Sequence, residues 1–108
     1  MNEINPLLAV EFIQVTAPKF SQAKADRTFL ENYLKTVKSR LMQESDSKSL
    51  GDREAFAYAS EAYVEQLKGY KQAIEEEERL KWLMTAAQAK IEVWKTMEYT
   101  KRAELKNL

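Results

Sequence analysis

SDSKSLGD, residues Ser45–Asp52, is the one extended polar stretch holding a helix breaker in this 108-residue chain. Gly51 and Gly69 are its two glycines, and Pro6 and Pro18 its two prolines. Scarce breakers among many Ala, Glu, Lys, Leu and Gln residues point to long helices. A single polar interruption near the middle then reads as the turn of an antiparallel helical hairpin. Ser49 with Asp52 three residues later resembles a helix-start box, and a short helix is expected over 53–59.

Upstream of the turn, Phe20, Ala23, Arg27, Leu30, Leu34, Val37 and Leu41 recur at alternating spacings of three and four. That is a heptad seam with one charge in it, and it predicts a helix over 19–44. Farther upstream, Asn5 reads as an N-cap and Pro6 as a first helical residue. Residues 5–17 are therefore expected as an N-terminal helix, or as an arm exchanged between subunits. LAVEFIQV (Leu8–Val15) has the β-branched content of a strand, but no second strand is available to pair with it. Pro18 is expected to kink or break this element.

Downstream, Ser60 is a candidate N-cap, with Glu61 in the first turn where the helix dipole favours an acid. A long helix is expected over 61–105. Gly69 inside it costs about 1 kcal/mol against Ala, and a straight helix of this span is about 65 Å long. Its seam reads Tyr63, Leu67, Tyr70, Ile74, Glu77, Leu80 or Lys81, Met84, Ala87, Ile91 and Trp94. Setting the two seams antiparallel, with Leu41 beside Tyr63, brings Val37 to Leu67, Leu34 to Tyr70, Leu30 to Ile74 and Arg27 to Glu77. The same register brings Phe20 to Met84 and Ile13 to Ile91. Arg27 and Glu77 form the expected polar register pair, with Glu78 or Lys81 nearby. Such a pair sets register more than it adds stability, because desolvation offsets much of the attraction. In a different register Arg27 would simply snorkel to water.

Glu77 belongs to IEEEERLKW (Ile74–Trp82). Consecutive helical residues point about 100° apart, so Glu75–Glu78 cannot converge on one point. A solvated face, with Glu75–Arg79 and Glu77–Lys81 pairs at i,i+4, accounts for them.

Composition closes off several kinds of chemistry. The chain has 17 basic and 17 acidic residues, so no global field draws in nucleic acid or an acidic membrane. Cysteine and histidine are absent, which removes thiolate chemistry, the commonest general base and the commonest transition-metal ligand. Clustered glycines for a phosphate loop are absent too. An enzyme would need a carboxylate site with Mg²⁺ supplied from outside, so the expectation is a non-enzyme without cofactor or metal. No apolar run approaches the ~18 residues needed to cross a bilayer. The opening MNEINPLLAV lacks the basic start of a signal peptide, and the missing cysteines fit a reducing cytoplasm.

Two secondary stripes remain outside the seams. Phe29 and Tyr33 form one at i,i+4, and Trp82, Ala86, Ala89 and Val93 form the other. Two hairpins packing into a four-helix assembly would bury both, so a homo-oligomer, a dimer first, is expected. Residues 6–17 and the short helix would otherwise cover the stripes within one chain. The tail adds Lys90, Lys95, Lys101, Arg102 and Lys106, interleaved with Trp94 and Tyr99. Basic residues with aromatics form a candidate contact for single-stranded nucleic acid. Cations near a helix C-terminus are also expected from the dipole alone, and Glu92, Glu98 and Glu104 dilute the patch.

The turn SKSLGD has no Trp, which separates the chain from secreted helical hairpins built on a Trp-x-Gly turn. LKTVKSRLMQES (Leu34–Ser45) and EEEERLKWLMTAAQAKIEVWKTMEYTKRAE (Glu75–Glu104), together under half of the chain, resemble small helical proteins of bacteriophage early or recombination gene blocks. Neither stretch is a catalytic motif. The resemblance implies a cytoplasmic accessory acting beside proteins that process DNA, with an unidentified protein partner. The expected fold is all-α: a long, coiled-coil-like antiparallel hairpin in one domain, with a short helix near the turn, pairing into a four-helix assembly.

Overall fold

Asn5 opens the first helix by its own chemistry. In the computed structural model, which describes residues 3–108, its Oδ1 accepts the N–H of Leu7 at 3.0 Å and that of Leu8 at 3.3 Å. Its carbonyl accepts from Ala9 at 3.3 Å. Such a cap contributes about 1 kcal/mol, and Pro6 follows where no N–H is needed. The helix so started, α1 (Pro6–Glu44), runs on through Pro18. The break expected there does not occur, and the predicted elements 5–17 and 19–44 are one helix. The seam supplies the reason. Ala9, Ile13, Thr16, Phe20 and Ala23 continue the three-four spacing backwards and are buried or half-buried, whereas Pro18 is exposed. The carbonyl that Pro18 leaves without a backbone donor therefore sits on the wet side, while apolar contacts hold the helix on the other.

The turn is shorter than expected. Ser49 caps α2 (Leu50–Ala59), its Oγ accepting the Asp52 N–H at 3.4 Å. The helix begins three residues earlier than the predicted 53–59 because the cap admits Leu50 and Gly51 to the first turn. Ser47 completes the box in place of Asp52: its Oγ accepts the Ser49 N–H and donates to Asp52 Oδ2, both at 3.1 Å. Ser60 does not serve α3 (Glu61–Lys106) with its side chain as expected. Its Oγ turns back to the Phe56 carbonyl at 2.7 Å, and only its carbonyl enters α3, accepting from Val64 at 3.1 Å.

The described residues contain three helices and no strand, so LAVEFIQV is helical. α1 packs against α3 in a hairpin-like arrangement with the short α2. The long helices contribute to two compact units, one of residues up to Ser21 with Glu78–Leu108, the other of Gln22–Glu77.

In the first unit the buried side chains are small or few: Ala9, Thr16, Leu80 and Ala87. Leu80, not Lys81, takes the seam position, since a lysine there would lose the hydration of its charge. In the second unit Val37 and Leu41 cluster with Ala57 of α2, Tyr33, Met42 and Tyr63 pack against this cluster, and Leu34 is buried as well. Each such aliphatic side chain contributes about 2 kcal/mol by leaving water. Leu67, expected opposite Val37, is instead 45% exposed. The inward phase of α3 runs Tyr63, Gln66, Tyr70, Ala73, Glu77, which keeps step with Leu80 and turns Leu67 outward.

Candidate interaction surface

The polar feature of the second unit lies inside its seam. Glu77 is the buried member of the four glutamates, while Glu75, Glu76 and Glu78 are exposed. Arg27 Nε donates to Glu77 Oε2, and Arg27 Nη1 reaches Glu31 Oε2 at 3.3 Å. The bond to Glu77, then one with Tyr70, holds the guanidinium further above the usual arginine range. Glu77 was expected to pair with Lys81 as well. Its carboxylate takes Arg27, and the Lys81 ammonium lies 5.5 Å from the Trp82 ring centre. Glu78 accepts from Trp82 Nε1 at 2.9 Å. Among the described residues no three or more acidic side chains gather where they would hold a metal ion.

A second cluster ties the three helices of that unit together. Lys38 Nζ lies 4.8 Å from the Tyr58 ring centre and 3.7 Å from Glu54 Oε1. Tyr58 meets Tyr63 edge to face at 5.2 Å. Hydrogen bonding with Tyr58 holds the Lys38 ammonium above its ordinary 10.5, against a smaller opposing effect of desolvation.

The two predicted stripes lie in different units. Phe29 and Tyr33 stack at 5.7 Å, but they divide in role: Tyr33 packs against the core cluster, while Phe29 is 65% exposed. Trp82, Ala86, Ala89 and Val93 are all exposed along α3. Of these, Ala86 enters a groove of about 630 Å³ between the N-terminal part of α1 and α3. Leu8, Phe12 and Leu83 line it together with the small Ala9, Ala86 and Ala87, and Glu3 and Lys90 are its charged lining residues. Sequence periodicity hides Leu8 and Phe12 because Pro18 predicts a break between the N-terminal segment and the seam, and it hides Leu83 because a flank of α3 becomes a groove only beside a second helix. The signal was present: Ala9, Ile13 and Thr16 continue the seam in phase, and Leu8 and Phe12 flank it at i,i+4.

The basic tail is partly neutralised. Lys95 lies 3.4 Å from Glu92 and Lys101 3.5 Å from Glu98. Lys90 belongs to the groove. Arg102 and Lys106 share a shallow surface depression with Tyr99, and Trp94 is half-buried. No helix is long and apolar enough to cross a membrane among the described residues. The chain matches no known protein family, no curated protein and no solved structure.

Proposed function

We propose that this protein is a non-enzymatic helical interaction protein that self-associates and engages a protein partner. On the resemblance of its two helical stretches, we place it in the cytoplasm as an accessory to bacteriophage DNA recombination or replication. The observation that carries the interaction reading is the apolar surface left over. Leu7, Leu8, Val15, Phe29 and Trp82 are each at least 60% exposed. Surface of this kind marks contact with another protein. Sedimentation velocity across the micromolar range tests the reading, with a dimer or larger closed assembly expected. A chain that stays monomeric throughout and recovers no partner overturns it.

A second reading is nucleic-acid contact through the C-terminal face. The observation favouring it is the exposed Tyr99, with Arg102 and Lys106 on the same depression. An aromatic face with adjacent cations suits single-stranded nucleic acid. Fluorescence anisotropy with labelled single-stranded DNA would then show affinity falling steeply with salt, the signature of counterion release. Charge reversal at Lys95, Lys101 and Arg102 would abolish it with helicity intact. No binding at low salt removes this reading.

A further inference from the structure

We propose that α3 turns about its own axis between two packings in the unit Gln22–Glu77, one with Gln66 and Ala73 inward and one with Leu67 and Ile74 inward. The inference stands apart from self-association, since it concerns a single chain. Its ground is a conflict within the seam of α3. Tyr63, Tyr70, Glu77, Met84 and Ile91 recur every seven residues. Upstream of Glu77 the larger apolar residue comes four after each of them, as Leu67 after Tyr63 and Ile74 after Tyr70. From Glu77 onward the apolar residue comes three after, as Leu80, Ala87 and Trp94. Residues three and four apart differ by about 100° in direction, so a straight helix cannot turn both sets to one line. The structure follows the second set. Leu80 and Ala87 are buried, and the same phase carried upstream brings Gln66 and Ala73 in, each half-buried. Leu67 and Val64 are left 45% and 37% exposed, on an apolar groove of about 420 Å³ that Tyr70 and the half-buried Ile74 also line.

A helix that turns its more apolar stripe to water is a locally frustrated element, and two features let it turn. First, the stripes share Tyr63, Tyr70 and Glu77, so their centres lie only about 50° apart. Glu77 accepts from Arg27, and Tyr63 packs against the core of Val37, Leu41 and Ala57. Both residues belong to either stripe and stay on the inward side throughout. Second, the two packings are nearly balanced. Burial of Leu67 is set against burial of Leu80, one leucine against another, and the second packing returns the Gln66 amide to water. Turning inward withdraws Leu67 from the groove. The packing of α3 thus decides whether this apolar face is offered to a partner, and a partner that takes the face holds the first packing.

The chain has no cysteine, so single introduced thiols report on the turn. Leu67→Cys and Ala73→Cys are prepared separately in the full chain, cysteine being a small apolar residue that suits either side. Their rates of reaction with a soluble aromatic disulfide are measured under native conditions, with circular dichroism to check helicity. Leu80→Gln removes the residue that favours the observed packing. In that background the thiol at position 67 should react about tenfold more slowly and the thiol at position 73 about tenfold faster. Gln66→Glu leaves Leu80 in place and should move both rates in the same senses by about threefold. It decides the matter if Leu80→Gln lowers helicity. Loosening of the helices would quicken both thiols, and a helix with one packing would change neither. Rates that fail to move in opposite directions in a variant of unchanged helicity overturn the proposal.

Discussion

The two units differ in how they treat the same kind of seam. In Gln22–Glu77 the turn folds a third helix onto α1 and α3, and Ala57, fully buried, closes over Val37 and Leu41. Around residues 3–21 and 78–108 only the two long helices are present. Their inward positions hold small residues, and Leu7, Leu8, Val15 and Trp82 stay in water. A pair of helices can bury one stripe each, and a third element is needed for the flanks. The chain supplies that element to one unit. In the other these flanks stay in water.

The largest expected effect tests that contrast directly. Leu41→Ala should lower the unfolding free energy by about 2–4 kcal/mol in urea titrations, since it empties a closed site. Leu8→Ala, at a concentration where the chain is monomeric, should cost less than about 1 kcal/mol because most of that side chain is already wet. Equal losses at the two positions would erase the distinction between the units. Next in size, Pro18→Ala should raise stability by about 1–3 kcal/mol by restoring a backbone donor within a continuous helix. A loss of stability on this change would mean that the proline ring itself is used.

Smaller is the effect at the polar pair of the closed unit. Arg27→Leu alone should lower the melting temperature, because Glu77 would stay buried without its partner. Arg27→Leu with Glu77→Leu should recover the loss or exceed it. A single variant as stable as the parent would show that the bond does not bear on folding. The smallest effect is a pH dependence at Lys38. Its ammonium is held above 10.5 in the folded state, so its contribution is complete below that pH and is lost as pH rises beyond it. The melting-temperature gap between the parent and Lys38→Met should therefore be constant from neutral pH upward and close only in strong alkali. A gap that closes nearer neutrality would assign it to another group.

Much of the fold was legible in the sequence. Heptad spacing marked α1 from Phe20 to Leu41, Asn5–Pro6 marked its start, and the polar stretch marked the turn. The Arg27–Glu77 contact was also readable, because a lone charge in one seam and a polar gap in the other have one register that aligns them. The candidate surface was legible only in part. Ala86 was singled out as part of a stripe, but Leu8, Phe12 and Leu83 were not, since a flank becomes a groove only when a second helix defines its other wall. Pro18 misled for the same reason. Local propensity argues for a break, and the packing of Thr16 and Phe20 on the opposite face outweighs it.

Sequence alone determined the helical class, the place of the turn and the absence of histidine and cysteine chemistry, because periodicity and composition are properties of the chain itself. Tertiary structure alone decided that α1 is continuous, that α3 turns Leu80 inward and Leu67 outward, and that one unit is closed while the other bears an apolar groove. Those outcomes depend on which faces meet. Two helices carrying the same spacing can settle on neighbouring phases that differ by one residue, and only their mutual packing selects between them.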